Sequence, residues 1–339
     1  MMNPNDPSER ITMSHGGGGK LAHELIVREL LPVLADEELA ELGDSAVVDG
    51  AERLAFTTDS FVVKPIFFPG GDIGRLAVCG TVNDLAVAGA QPLYLSLAMI
   101  LEEGLPIEDL RRIVRSAKAA AREAGVRIVC GDTKVVDHGS ADGMYLTTSG
   151  IGRLPVAKRL SPRNIRPGDA VLVSGTLGDH SIAVLSAREG IEFRTDVTSD
   201  VQPLNDLAQK LLSTAEVRCM RDPTRGGLAG ILNELAESAG VAIELDEKSI
   251  PVTEAVRAAC DVLGLDPIFA ANEGKLVAIV SPQTAESALQ ALRSHPRGKN
   301  GAIIGRVEKD RPGRVTIRTA PGGRRIVDMP VGEQLPRIC

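Results

Sequence analysis

Aromatic side chains are nearly missing from this 339-residue chain: they make up 2%, with no tryptophan, two tyrosines and six phenylalanines. Its cores must therefore be aliphatic, and a surface that stacks nucleobases on exposed rings is disfavoured. An excess of basic charge is missing as well. Lys and Arg number 38 against 45 Asp and Glu, and the resulting net charge of −7 repels a polyanion, so no nucleic acid partner is expected. No apolar run reaches the ~20 residues that cross a bilayer. The N-terminus, MMNPNDPSERITMSHGGGG, has no apolar stretch of signal-peptide length. These absences predict a soluble, cytoplasmic protein with no membrane partner. The five cysteines (Cys79, Cys130, Cys219, Cys260, Cys339) are odd in number and form no CxxC pair, which argues against a disulfide framework or a zinc knuckle. The five histidines show no HExxH spacing and no GxSxG elbow occurs, so zinc and serine-hydrolase chemistry are disfavoured.

What is present is an ordinary globular composition, 43% hydrophobic and 24% charged, over a length that suits two domains. The periodicities alternate. An amphipathic helix is expected over Ser14 to Leu34, then a strand over Leu54 to Thr58 ending on Asp59, and a helix buried on most sides over Ile73 to Gly89. A strand at Tyr94 to Leu101, a helix over Pro106 to Ala124 and a strand at Val126 to Cys130 follow. Around 152 to 169 the chain turns rich in Pro and Arg, which marks the domain boundary. The second half repeats the pattern, with strands at Ala170 to Ser174, Val241 to Leu245, Leu276 to Val280, Ile303 to Val307 and Arg314 to Thr319. Its expected helices are Ser181 to Arg188, Gly226 to Ser238, Thr253 to Leu263 and Thr284 to Ser294. The class is α/β (α+β), with domains at 1–152 and 153–330 and a mobile tail at 331–339 that has little apolar mass of its own.

Several acids sit at the ends of apolar elements: Asp44 in GDSAVV, Asp59 in FTTDS and Asp132 in VCGDTK, with Asp84 inside a helix beside Asn83. A buried carboxylate needs a cation, a basic side chain or N–H donors, and several together are simply explained by magnesium bridging to phosphate. Read singly, Asp44 and Asp59 are equally turn or cap residues, and Asn83-Asp84 can belong to an internal hydrogen-bonded network. The run HGGGGKL (Gly17, Gly18, Gly19, Lys20) can face an anion with backbone N–H groups, although it lacks the GxxxxGK[ST] pattern and also reads as a flexible arm. MRDPTRGG places Asp222 before a glycine-opened helix, where it can be an ordinary cap or a metal-bridging carboxylate. Glu273 lies in AANEGKL beside Gly274, and Lys134 after a strand; alone, each reads as a surface residue. Four cysteines lie in apolar segments and read as core. Cys339 ends the chain.

Together HGGGGKLAHELI, GDSAVV, the long FTTDS to LEEG block, VCGDTKVV, RDPTRGGLAGILNE, AANEGKL and the terminal PRIC resemble a family of two-domain ATP-dependent enzymes. That family includes aminoimidazole ribonucleotide synthetase, selenophosphate synthetase and thiamine monophosphate kinase, and the resemblance is greatest to its hydrogenase-maturation branch, HypE. The resemblance implies an aminoimidazole ribonucleotide synthetase-like fold and a homodimer. It implies that a carbamoyltransferase loads the Cys339 thiol and that ATP drives dehydration to a thiocyanate. The cyano group then passes to an iron-carrying scaffold complex of [NiFe] hydrogenase maturation. It further implies ATP with Mg2+ as cofactors, Asp44, Asp59, Asp84 and Asp222 as magnesium acids, and Lys20 as the phosphate-loop lysine. Glu273 is then the base and Lys134 orients the oxygen. The alternatives are a selenophosphate-type synthetase, which would want a reactive Cys near the N-terminal glycines, and a nucleotide-gated carrier without catalysis. A terminal carboxylate beside the thiol predicts that Cys339 is not strongly activated.

Overall fold

A computed structural model describes residues 10–15, 20–34, 50, 53–155, 160–188, 196–330, 335 and 338–339. Leu54–Phe61 forms β1, whose exposure alternates along the strand until Phe61 is buried. It joins β4 (Gln91–Glu102), β5 (Arg127–Val136) and β6 (Met144–Arg153) in a sheet of order β1-β6-β4-β5. Two-residue strands β2 (Phe67–Phe68) and β3 (Gly71–Asp72) form a small pair beside it. Helical segments α1 (Lys20–Leu25) and α2 (Leu31–Leu34) flank a π-helical turn at Ile26–Leu30.

Helix α3 (Ile73–Val87) starts where the Asp72 carboxylate accepts from the N–H groups of Gly74 at 2.9 Å and Arg75 at 3.0 Å. Almost all its residues are buried, as its continuous apolar pattern predicts, because it lies between the sheet and α4 (Ile107–Ala124). Gly74 permits that approach: a Cβ there would stand 2.4 Å from the Ile113 carbonyl oxygen. Helix α4 has an apolar stripe, acids in its first turn and Gly125 in the left-handed region at its end, so its limits follow from sequence rules.

The second half holds β7 (Ala170–Val173), β8 (Val217–Arg221), β9 (Ala242–Asp246), β10 (Val277–Val280), β11 (Ala302–Glu308), β12 (Val315–Arg318) and β13 (Arg324–Ile326). Their order is β13-β12-β9-β11-β7-β10-β8, and β7 and β10 are buried throughout. Helices α5 (Asp179–Ser186), α6 (Asn205–Thr214), α7 (Gly227–Ala239), α8 (Glu254–Leu263) and α9 (Ala285–Arg293) complete it. Strands β6, β8 and β13 and helix α6 were not among the sequence expectations. Strand β5 runs past Cys130, so Asp132 and Lys134 stand within it and not in a following loop.

One aliphatic core runs from the helices of the first sheet through Ile182, Ala183, Val184 and Leu185 to Ile338. The end of the chain thus belongs to that core. Its last two residues pack against that core, with Ile338 only 3% exposed.

Candidate active site

Residues 271 to 276 connect a short turn at Pro267–Phe269 to β10, and their backbone is clamped from several sides. The Asp200 carboxylate accepts from the N–H of Glu273 at 3.1 Å and of Gly274 at 3.3 Å, and from Lys275 Nζ at 2.9 Å. Gly274 is required here, since a Cβ would lie 1.8 Å from the Asp200 carbonyl oxygen. Asn272 donates to the carbonyls of Pro223 (3.2 Å) and Ala270 (2.8 Å) and accepts from Gly178 N–H (2.8 Å). Burial alone would raise the Asp200 carboxyl, but the Lys275 ammonium beside it holds it below its ordinary range.

Those clamps aim one carboxyl inward. Glu273 is 3% exposed, and among the described residues its Oε1 has no hydrogen-bond partner. Burial first, then the charges of Asp222, Asp200 and Asp59, push its pKa well above the ordinary carboxylate value. The Cys339 thiol lies beside this side chain, and burial first, then Glu273, raises the thiol well above its usual value. The direction agrees with the sequence expectation of an unactivated thiol; the cause is burial beside an acid. Cys339 lines a cavity of about 360 Å3 together with Arg225, Gly226, Phe269, Leu335 and Ile338. The positive charge of Arg225 opposes the upward shifts of both Cys339 and Asp59.

Three of the four expected magnesium acids gather close by. Burial and the neighbouring Asp84 raise Asp59, burial raises Asp84, and burial with the charges of Asp84 and Asp59 lifts Asp222 to about 7. Asp84 Oδ2 also accepts from Thr57 Oγ1 at 2.7 Å. Among the described residues no three acid, His or Cys side chains converge at metal-ligand distances. A donor set of mutually repelling carboxylates nevertheless has the chemistry that a hard divalent cation relieves. Asp44, Gly17, Gly18 and Gly19 lie outside the described residues; Lys20 opens α1.

Two expected site residues make contacts of another kind. Asn83, grouped with the cofactor residues, donates from its amide to the carbonyls of Gln202 (3.1 Å) and Glu273 (3.2 Å) and accepts from Leu204 N–H (2.8 Å). It ties α3 to the Glu273 loop, the network reading of the Asn83-Asp84 pair. Lys134 is exposed on β5 and pairs with Asp132 Oδ1 at 3.3 Å, not with Glu273.

Residues 42–154 match the family described as AIR synthase related protein, N-terminal domain, and residues 166–318 its C-terminal domain. Carbamoyl dehydratase HypE of Azotobacter vinelandii is 52% identical over 331 residues, covering 97% of both chains. The chain belongs to the HypE family. The crystal structure of a hydrogenase maturation protein HypE in complex with ATP superposes with a TM-score of 0.93 at 48% identity, over 97% of this chain and 99% of that one. The HypE chain of a HypE-HypF complex gives a TM-score of 0.79 at 50% identity, over 90% and 99%. Against this HypE family fold, sequence reasoning missed His180, Asp200, Lys275, Asn272 and Arg225. The residues packed around the Glu273 loop come from distant segments, with Asp200 paired to Lys275 75 positions on, so local patterns carry no sign of that packing. Arg225 had a signal in its place in the RDPTRGG loop beside Asp222, and Asn272 and Lys275 had one in the AANEGKL motif around Glu273.

Proposed function

We propose that this chain is an ATP-dependent carbamoyl dehydratase acting on its own C-terminus, converting the S-carbamoyl group of Cys339 to a thiocyanate with release of ADP and phosphate. The observation that carries this reading is the chain's last sulfur seated against the buried Glu273 carboxyl. An amide oxygen leaves poorly, and ATP supplies the phosphoryl group that turns it into phosphate. Two N–H protons must also leave for the carbon–nitrogen triple bond to form. Glu273 takes them: a carboxylate whose pKa is raised by desolvation is a stronger base once ionised, and its loop is held fixed by Asp200, Lys275 and Asn83. Arg225 at the cavity and Lys134, once turned from Asp132, offset the charge that develops on the oxygen. Asp59, Asp84, Asp222 and Asp44 would hold Mg2+, and the 17–20 segment would face the phosphates.

The first half, 1–152, serves ATP binding and homodimer formation in this reading, 153–330 supplies the Glu273 loop, and 331–339 carries the thiol. The tail leaves the cavity to be loaded by a carbamoyltransferase and to pass cyanide to an iron-carrying scaffold, all in the cytoplasm. Among the described residues no helix is long and apolar enough to cross a membrane. Glu273→Gln tests the reading by intact-mass spectrometry after incubation with the carbamoyltransferase, carbamoyl phosphate and ATP. The variant should accept the carbamoyl mass at Cys339 and lose no water. Dehydration at the unaltered rate would remove Glu273 from the mechanism and favour the carrier.

A further inference from the structure

His180 is wholly buried on α5 and belongs to none of the roles above, yet it meets three separate parts of the chain. Phe68 packs its ring edge-on, with centroids 5.4 Å apart. Ser199 Oγ lies 2.8 Å from Nδ1, and the Ile338 carbonyl oxygen 2.9 Å from Nε2. A carbonyl oxygen only accepts, so Nε2 carries a proton. Burial lowers the imidazole pKa, which leaves the ring neutral and Nδ1 an acceptor. The Ser199 hydroxyl therefore donates to Nδ1 while its oxygen accepts from Val201 N–H at 3.2 Å. The chain of bonds runs from Val201 through Ser199 and His180 to the last peptide, and it fixes one tautomer.

We propose that His180 is a positioning residue that latches the chain's terminus, its Nε2–H to Ile338 C=O bond setting where the Cys339 sulfur stands relative to Glu273. Among the described residues no other side chain is seen to hydrogen-bond the backbone of Leu335, Ile338 or Cys339. Ile338 is anchored by apolar burial, but burial is non-directional and leaves rotation and register free. A carbonyl fixed one residue before the thiol removes that freedom. A single uncharged hydrogen bond shifts an equilibrium by about tenfold, so the latch holds the tail without preventing its departure. Docked and released states then divide two tasks, dehydration inside and loading outside; this division rests on the proposed function, while the latch itself does not.

The test labels unloaded protein with iodoacetamide, without ATP or partner, and follows each cysteine by peptide mass. His180→Leu removes the donor and should speed labelling of Cys339 by roughly three- to tenfold. Labelling of Cys79, Cys219 and Cys260, buried elsewhere, should not change. His180→Gln, which keeps an N–H donor, should return most of the protection. In single turnover, His180→Leu preloaded with carbamoyl should dehydrate more slowly by a similar factor while its loading is not slowed. Should His180→Leu fail to fold, Ser199→Ala carries the same labelling expectation, since it frees the tautomer. Unchanged Cys339 labelling, or equal acceleration at all four cysteines, overturns the latch. Normal latch behaviour with no dehydration by the unaltered chain would instead overturn the proposed function.

Discussion

At the scale of single residues the acids govern pH behaviour. Asp222 titrates near 7 in the folded chain, through burial and then the Asp84 charge, against an unfolded value near 4. A carboxyl raised in this way favours the folded state only while protonated. Its contribution is complete below about pH 4 and is lost as pH rises toward 7, after which it stays lost. Allowing for partial exposure and shared charge, the loss is on the order of 2 kcal/mol. Thermal melts in EDTA should therefore show the unaltered chain falling relative to Asp222→Asn between pH 5 and 8. Mg2+ should raise the melting temperature more at pH 8 than at pH 6, and Asp222→Asn should lose most of that response. Equal Mg2+ shifts at both pH values, or an undiminished shift in the variant, would show that the acids do not bind the ion.

At the scale of elements, the Glu273 loop depends on one close backbone approach. Gly274→Ala would force its Cβ against the Asp200 carbonyl, and relief requires the loop to move by more than an ångström. Displacement of that size in a positioned catalytic group costs roughly a hundredfold in rate. Single-turnover dehydration should fall by about that factor, with carbamoyl loading unaffected; full dehydration activity would mean that the loop's register does not matter. Elements were legible where local signals agree. Helix α4 shows this, with its stripe, its acidic first turn and Gly125. Strand β6 was not legible, because MYLTTSGIGR is diluted with Ser, Thr and Gly whose partners lie on α3, β1 and β4. Helix α6 places Leu207, Ala208 and Leu211 inward over ten residues, too short a run to stand out beside polar neighbours. Strand β5 was cut short at Cys130 because GDTK reads as a turn, whereas β4 pairs with it through Val136 and supplies the hydrogen bonds that override local preference.

At the scale of the whole molecule, the motifs named the chemistry and the fold supplied its surroundings. Glu273 alone reads as a surface turn; burial, an unpartnered oxygen and the docked thiol make it a candidate base. His180 bonds a residue 158 positions away, a separation at which no pattern along the chain is informative. The tail looked unable to build a core, and it does not build one: Leu335 and Ile338 join a core made by the first half and α5. The claim on which all of this depends is that the final sulfur carries the group from which oxygen is removed. Intact-mass spectrometry of the unaltered chain with the carbamoyltransferase, 13C-carbamoyl phosphate, ATP and Mg2+ tests it most directly. The account predicts label on Cys339 first with the mass of a carbamoyl group and then with one water lost, and neither species in a chain ending at Ile338. Label on any other residue, or a carbamoyl adduct at Cys339 that never loses water, would contradict it.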